Sequence, residues 1–163
     1  MQARMANMAF SVPGVFDALE ALRTAARQGG LPQATAEFVN LRASQINGCS
    51  VCVDMHARDL KKAGESDERI WAVAAWRDVP FFTDAERAAL ALTEAVTRLC
   101  DRADPVPDEI FDEAAKHFDE PALKAVILQI TLINAWNRLN VATRQVVGAP
   151  SAGVGGAGGG GNR

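Results

Sequence analysis

The stretch Glu37-Phe38-Val39-Asn40-Leu41-Arg42-Ala43-Ser44-Gln45-Ile46-Asn47-Gly48-Cys49-Ser50-Val51-Cys52-Val53-Asp54-Met55-His56 decides how this chain is read. It holds two of the three cysteines as a C-x-x-C pair, and one of only two histidines follows four residues after the second thiol. Gly48 interrupts the helical pattern before it. The run from Ser50 to Ala63 then has no Gly or Pro until Gly64, a residue type suited to the position just past a helix. A helix is therefore expected from Ser50, and Cys49, Cys52 and His56 stand at i, i+3 and i+7 along it. That spacing projects two thiols and an imidazole from one face.

The rest of the chain reads as helices on either side. Pro13 is expected in the first turn of an amphipathic, peripheral helix carrying Val15, Phe16, Leu19, Leu22 and Ala26, closed by Gly29 and Gly30. Pro32 opens a second helix, Gln33 to Ile46, with Phe38, Leu41 and Gln45 along one side. After the cysteine helix, Ser66 caps a helix to about Trp76, with Asp67 and Glu68 in its first turn. Thr83-Asp84-Ala85-Glu86 has the capping-box pattern and opens a helix to Cys100. A short helix, Asp108 to Phe118, precedes the most apolar one, which Asp119 caps and which carries Pro121 in its first turn and runs to about Val147. No segment alternates with period two and no repeat is evident. The expectation is an all-α fold of about seven helices over residues 1–147, with a disordered Gly-rich tail over 148–163.

Bulk properties narrow the function classes. A chain of 163 residues with a net charge of -3 is long enough for a core of its own, and nothing in its charge invites nucleic acid or an anionic membrane. The N-terminus lacks the apolar run of a signal peptide, and the longest apolar run, Ala125 to Ile133, is too short to span a bilayer. A cytoplasmic location is expected. Three cysteines are too few for a disulfide scaffold, so the C-x-x-C pair reads as redox or metal chemistry.

A thiolate is the reactive form of cysteine, and its pKa falls at a helix N-terminus, within C-x-x-C, or beside a histidine. Cys49 has the helix terminus and Cys52 has His56 one turn on, so these arguments leave open which thiol is the more acidic. If the two central helices pack antiparallel, Glu37 reaches back toward the start of the cysteine helix, and a carboxylate beside the imidazole orients it, giving a thiol–base–acid relay. Peroxide reduction suits such a group: a thiolate attacks the O–O bond, becomes sulfenic acid, and condenses with a neighbouring thiol. Zinc is the rival reading, with Cys49, Cys52 and His56 as ligands and Glu37 or His117 as the fourth.

The run Glu37 to His56, with Leu41-Arg42-Ala43-Ser44-Gln45-Ile46-Asn47-Gly48-Cys49 at its centre, resembles the AhpD-like alkylhydroperoxidase branch of the carboxymuconolactone decarboxylase family. Ile133-Asn134-Ala135-Trp136-Asn137-Arg138-Leu139 is similar to a second signature of the single-domain members, and the likeness runs from about Phe16 to Val147. It implies an AhpD-like helical bundle, homotrimers or homohexamers, and thiol peroxidase or disulfide reductase activity without a cofactor or metal. The substrate implied is a small organic hydroperoxide or hydrogen peroxide, and the reductant a dithiol, lipoylated or thioredoxin-like protein. By position, the resemblance makes Cys52 the peroxidatic thiol, Cys49 the resolving one, and His56 with Glu37 the proton relay, through a water. One departure stands out. The best-known peroxidase members have a histidine immediately before the second cysteine, where this chain has Val51. That difference keeps a disulfide-exchange or redox-sensing protein as the alternative, while lactone decarboxylation has no use for the C-x-x-C pair.

Outside this stretch, Arg42 is expected to be an ion-pair partner, His117 to be exposed and Cys100 to be a buried small hydrophobe. Trp71, Trp76 and Trp136 suit a core or a subunit interface. Asn134 and Asn137, polar on an apolar helix, require hydrogen-bond partners if buried.

Overall fold

The computed structural model describes residues 1–148, and among them it contains eight α-helices and no strand. In chain order they are α1 (Met8–Ser11), α2 (Val15–Arg27), α3 (Gln33–Asn47), α4 (Ser50–Lys62), α5 (Asp67–Ala72), α6 (Asp84–Thr97), α7 (Asp108–His117) and α8 (Glu120–Ala142). Seven of them are the helices expected from the sequence, and α1 is added. Of the tail expected over residues 148–163, all but Gly148 lies outside the described residues. None of the helices is long and apolar enough to cross a membrane.

Local chemistry sets most of the boundaries. Thr83 and Glu86 form the expected capping box on α6, the Glu86 carboxylate accepting from the Thr83 N–H at 2.8 Å and the Thr83 hydroxyl from the Glu86 N–H at 3.2 Å. Asp119 accepts from the Ala122 N–H at 2.9 Å and starts α8. Several ends differ from expectation. Gly14, left-handed at φ 79°, caps α2, so Pro13 lies before the helix rather than in its first turn. The segment after α5 tightens into a 3-10 turn, Val73–Asp78. Helix α6 stops at Thr97, because Arg98 leaves helical geometry at φ -107° and ψ 44°, and Cys100 consequently emerges exposed and free rather than buried. Helix α8 stops at Ala142, short of Val147.

The long α8 packs against α2, α3, α4, α6 and α7 and is the axis of the molecule. One apolar cluster, with Val39, Leu92, Phe118, Val126 and Ile130, lies where α3, α6, α7 and α8 meet. A second, with Phe38, Leu41, Leu60, Trp76, Phe82 and Leu90, joins α3 to α4, α5 and α6. Each such side chain contributes about 2 kcal/mol by leaving water, so these two clusters hold the helices together. As expected, α2 is peripheral, burying only Ala26. Its following turn meets α8 at Gly29, where an added Cβ would stand 2.6 Å from that of Ala125. Only glycine allows so close an approach.

A buried carboxylate ties the second cluster to its surroundings. Glu94 accepts from Arg42 at 2.6 and 2.8 Å, from Arg77 at 2.7 Å and from the Trp76 indole at 3.0 Å. Arg42 is thus the ion-pair partner anticipated from the sequence. Burial pushes the Glu94 carboxyl up, but the bonds from Trp76, Arg77 and Arg42 together outweigh it and hold the pKa below the ordinary carboxylate value of 4.5. Its stabilisation is therefore complete above that value and is lost as pH falls through the lower native one. Glu94→Gln strands the Arg42 charge, which is only 13% exposed, and should cost about 3 kcal/mol in urea unfolding at pH 7. The cost should shrink as pH falls below 4.5, and a pH-independent difference would contradict this account.

Candidate active site

A single left-handed glycine builds the site. Gly48, at φ 68°, ends α3, and the Cys49 N–H donates back to the Ser44 carbonyl at 3.0 Å, a Schellman-type closure. Cys49 is then at once the N-cap of α4, its sulfur accepting from the Cys52 N–H at 3.4 Å. The chain reverses within these residues, so α3 and α4 run antiparallel and Glu37 is brought beside His56. Glu37 Oε2 lies 2.7 Å from His56 Nδ1. The antiparallel reach offered by the sequence as a geometric possibility is present, but it arrives at His56 midway along α4 rather than at the start of that helix.

Cys49 and Cys52 are joined as a disulfide with Cα atoms 5.4 Å apart. Both are buried, and they pack with Ala43, Ile133 and Trp136 in a small third cluster. The rings of Phe10 and Phe16 pack against Trp136, tilted and edge-on, with centroids 6.3 and 6.5 Å away. His56 is also buried, 7% exposed, and its Nε2 has no hydrogen-bond partner among the described residues. With the Glu37 carboxylate accepting from Nδ1–H, the neutral ring keeps its lone pair on Nε2, the arrangement of a general base. The Glu37 side chain is 18% exposed, which gives a proton leaving the ring a way to solvent. Asn40 donates to Glu37 Oε2 at 3.4 Å and accepts from Gln129 at 2.7 Å, holding the carboxylate from α8.

The asparagines of α8 supply the remaining contacts. Asn47 donates to both Asn134 and Asn137 at 2.9 Å, Asn134 donates to Thr97 at 3.1 Å, and Asn137 donates to Ser44 at 3.1 Å. The partners required of Asn134 and Asn137 are therefore found. A third asparagine, Asn140, donates to Cys52 Sγ at 3.4 Å, a contact sequence reasoning missed because the two residues are 88 apart. The only sequence signal was its spacing, since Asn134, Asn137 and Asn140 form an i, i+3, i+6 stripe.

The zinc set is not assembled, because both sulfurs are consumed in the disulfide and His117 is exposed on α7, bonded to Glu113 at 3.1 Å. Glu37, His56 and Asp59 do offer ligand atoms within 4.8 Å of one another, although Lys62 holds Asp59 at 2.9 Å. Trp76 is core, Trp136 half-buried, and Trp71 is 73% exposed. Trp71 borders a mixed-charge groove with Asp54, Arg58, Lys61 and Asp67 on a different face of α4 from the cysteines. Val51, half-buried, occupies the position before Cys52.

A sequence model of the carboxymuconolactone decarboxylase family matches residues 13–95, the part of the chain that contains both central helices. The chain belongs to this family, in its AhpD-like branch. Within the family's reach, the uncharacterized protein YdfG of Bacillus subtilis is 38% identical over 116 residues, 71% of this chain and 78% of YdfG. A solved protein of unknown function from Agrobacterium tumefaciens, described as a candidate antioxidant defence protein AhpD, superposes with a TM-score of 0.83 at 34% identity. It covers 91% of this chain and 99% of its own. The alkyl hydroperoxide reductase AhpD of Bradyrhizobium diazoefficiens is 35% identical over 66 residues, 40% of this chain and 34% of that enzyme. This chain thus matches about a third of that reductase.

The amide stripe makes a direct test of how the site is held. Asn137→Ala removes a fully buried group that satisfies Ser44 and Asn47 together, and should cost about 2 kcal/mol in urea unfolding. An unchanged urea midpoint would show that the stripe does not hold the helices.

Proposed function

We propose that this protein is a thiol peroxidase of the AhpD-like type, reducing organic hydroperoxides or hydrogen peroxide at Cys52. The observation that supports the reading best is the conjunction of a C-x-x-C disulfide with a buried histidine oriented by a carboxylate 2.7 Å away. His56 Nε2 takes the Cys52 proton, and the thiolate attacks the terminal oxygen of R–OOH. The S–O bond forms as the O–O bond breaks, and the imidazolium returns its proton to the departing alkoxide, giving R–OH and Cys52 sulfenic acid. The Cys49 thiol then attacks the Cys52 sulfur, the disulfide forms, and water leaves. A dithiol, lipoylated or thioredoxin-like protein reduces the disulfide by exchange and is itself oxidised. No step calls for a cofactor or metal. Assembly as a homotrimer or homohexamer belongs to the same proposal, with exposed Trp71 a natural contact.

A second reading has its own support. Val51 leaves the relay with one histidine, and in this structure the sulfur of Cys52 accepts a hydrogen bond from Asn140 Nδ2 rather than from His56. Both features fit a disulfide-exchange or redox-sensing protein in which peroxide reacts slowly.

Reduced protein given one equivalent of cumene hydroperoxide should lose two thiols and yield a Cys49–Cys52 linkage by peptide mass mapping. Cys52→Ser should abolish peroxide turnover, and His56→Ala should lower it about a hundredfold. Undiminished turnover by Cys52→Ser would end the peroxidase proposal. Negligible turnover by the wild type alongside rapid exchange with dithiols would establish the second reading instead.

A further inference from the structure

The contact from Asn140 to Cys52 is the end of a chain of amides that begins in the N-terminal segment. An amide side chain presents NH2 on one side and oxygen on the other, and the group that engages one end fixes what the other end offers. Asn7 Nδ2 donates to Asn140 Oδ1 at 3.2 Å, so the oxygen is engaged and the NH2 faces the sulfur. Asn7 is fixed in turn, because its own Oδ1 accepts the Ala9 N–H at 3.0 Å as the N-cap of α1. The same segment is fastened to the end of α8 by the Arg4 N–H on the Thr143 carbonyl at 2.9 Å and by Gln145 on the Met5 carbonyl at 3.1 Å. The short helix that sequence reasoning did not anticipate thus orients an amide at the reactive sulfur.

We infer that Asn7 and Asn140 are positioning residues that select Cys52, rather than Cys49, to carry the negative charge when the disulfide is reduced. The inference rests on the reading above that Cys52 is the attacking thiol. A thiol or disulfide sulfur is a weak acceptor, whereas a thiolate accepts a charge-assisted hydrogen bond of roughly twice the strength. The bond from the amide to the sulfur is therefore weak in the oxidised protein and strengthens when the sulfur becomes an anion. Cys49 has the N-terminus of α4 and a single donor, the Cys52 N–H. Cys52 has a donor imported from another helix.

The preference also directs the reductive half of the cycle. A thiolate of the reducing dithiol attacks Cys49 and forms a mixed disulfide as the Cys49–Cys52 bond breaks, with Cys52 leaving as the stabilised thiolate. The second thiol of the reductant, deprotonated, then attacks the partner sulfur of the mixed disulfide and releases Cys49. The reductant ends as a disulfide, and two electrons have passed to the protein.

The titratable groups that face this region are Cys49 and His56 on α4 and Glu37 on α3. Along this stripe α8 presents the amides together with the Arg138 guanidinium, which donates to Asn134 Oδ1 at 3.0 Å, and the N-terminal segment brings the Arg4 guanidinium to the Ala142 carbonyl at 3.1 Å. Replacing Asn140 therefore changes the field at the sulfur while leaving those groups in place.

The test uses the full chain carrying Cys49→Ser and Cys100→Ser, so that Cys52 is the only thiol, and serine retains the N-cap oxygen. The pH dependence of iodoacetamide alkylation and of thiolate absorbance gives the Cys52 pKa, with circular dichroism reporting the fold. Asn140→Ala should raise that pKa by about one, the equivalent of one charge-assisted hydrogen bond. Asn140→Asp should raise it further by placing a carboxylate at the sulfur. Asn7→Ala, which leaves Asn140 in place but free to turn, should move it the same way by a smaller amount. Folded Asn140→Ala and Asn140→Asp proteins with the parent pKa would overturn the inference. If neither folds, an unmoved pKa in Asn7→Ala does so. Alkylation involves no peroxide, so failure of this inference and failure of the peroxidase proposal are read separately.

Discussion

Three buried asparagines on one stripe of a helix impose the constraint on which the rest of this structure depends. Leaving one such amide unpaired costs about 1–3 kcal/mol, so Asn134, Asn137 and Asn140 must all meet partners at once. They do so by drawing Thr97 from α6, Ser44 and Asn47 from α3, Cys52 from α4 and Asn7 from the N-terminal segment. A slide of α8 by one turn would break every one of these bonds together. The stripe therefore sets the register of the elements around it.

Apolar burial and polar pairing divide the work. The two large clusters supply most of the favourable energy, but burial is non-directional and tolerates small shifts between helices. The polar contacts tolerate far less, because each needs a donor and an acceptor within a few tenths of an ångström. The disulfide lies in the smallest cluster, where apolar packing is weakest, and its surroundings are correspondingly rich in amides. Glu94 plays the same part at the opposite side of α3, joining Arg42 on that helix to Trp76 and Arg77.

How much of this could be read from the residues depended on how far apart the partners lie. Cys49, Cys52 and His56 share one helix face, so their proximity follows from the helical period. Glu37 meeting His56 needed one further fact, that Gly48 reverses the chain, and the sequence held it as a possibility. Asn140 and Cys52 meet only because α8 and α4 pack in a particular register, which no local pattern contains. Errors at helix ends have a similar origin. Pro13 and Cys100 both fit a helix by residue type, but backbone geometry at Gly14 and Arg98 placed them outside it. The four residues of α1 are too short for periodicity to register.

The depth of the disulfide has a kinetic meaning. Cys49 and Cys52 are 2% and 1% exposed, beneath a tryptophan on which two N-terminal phenylalanines rest. Any thiol–disulfide exchange at a bond so enclosed requires its cover to open, so its rate depends on how often Trp136 and its neighbours move aside. The sulfurs set how fast the open form reacts, and the cover sets how often it exists. Every 1.4 kcal/mol by which that cover is tightened or loosened changes the open population about tenfold. The N-terminal segment and the disulfide are thereby coupled through the packing of Phe10 and Phe16 on Trp136.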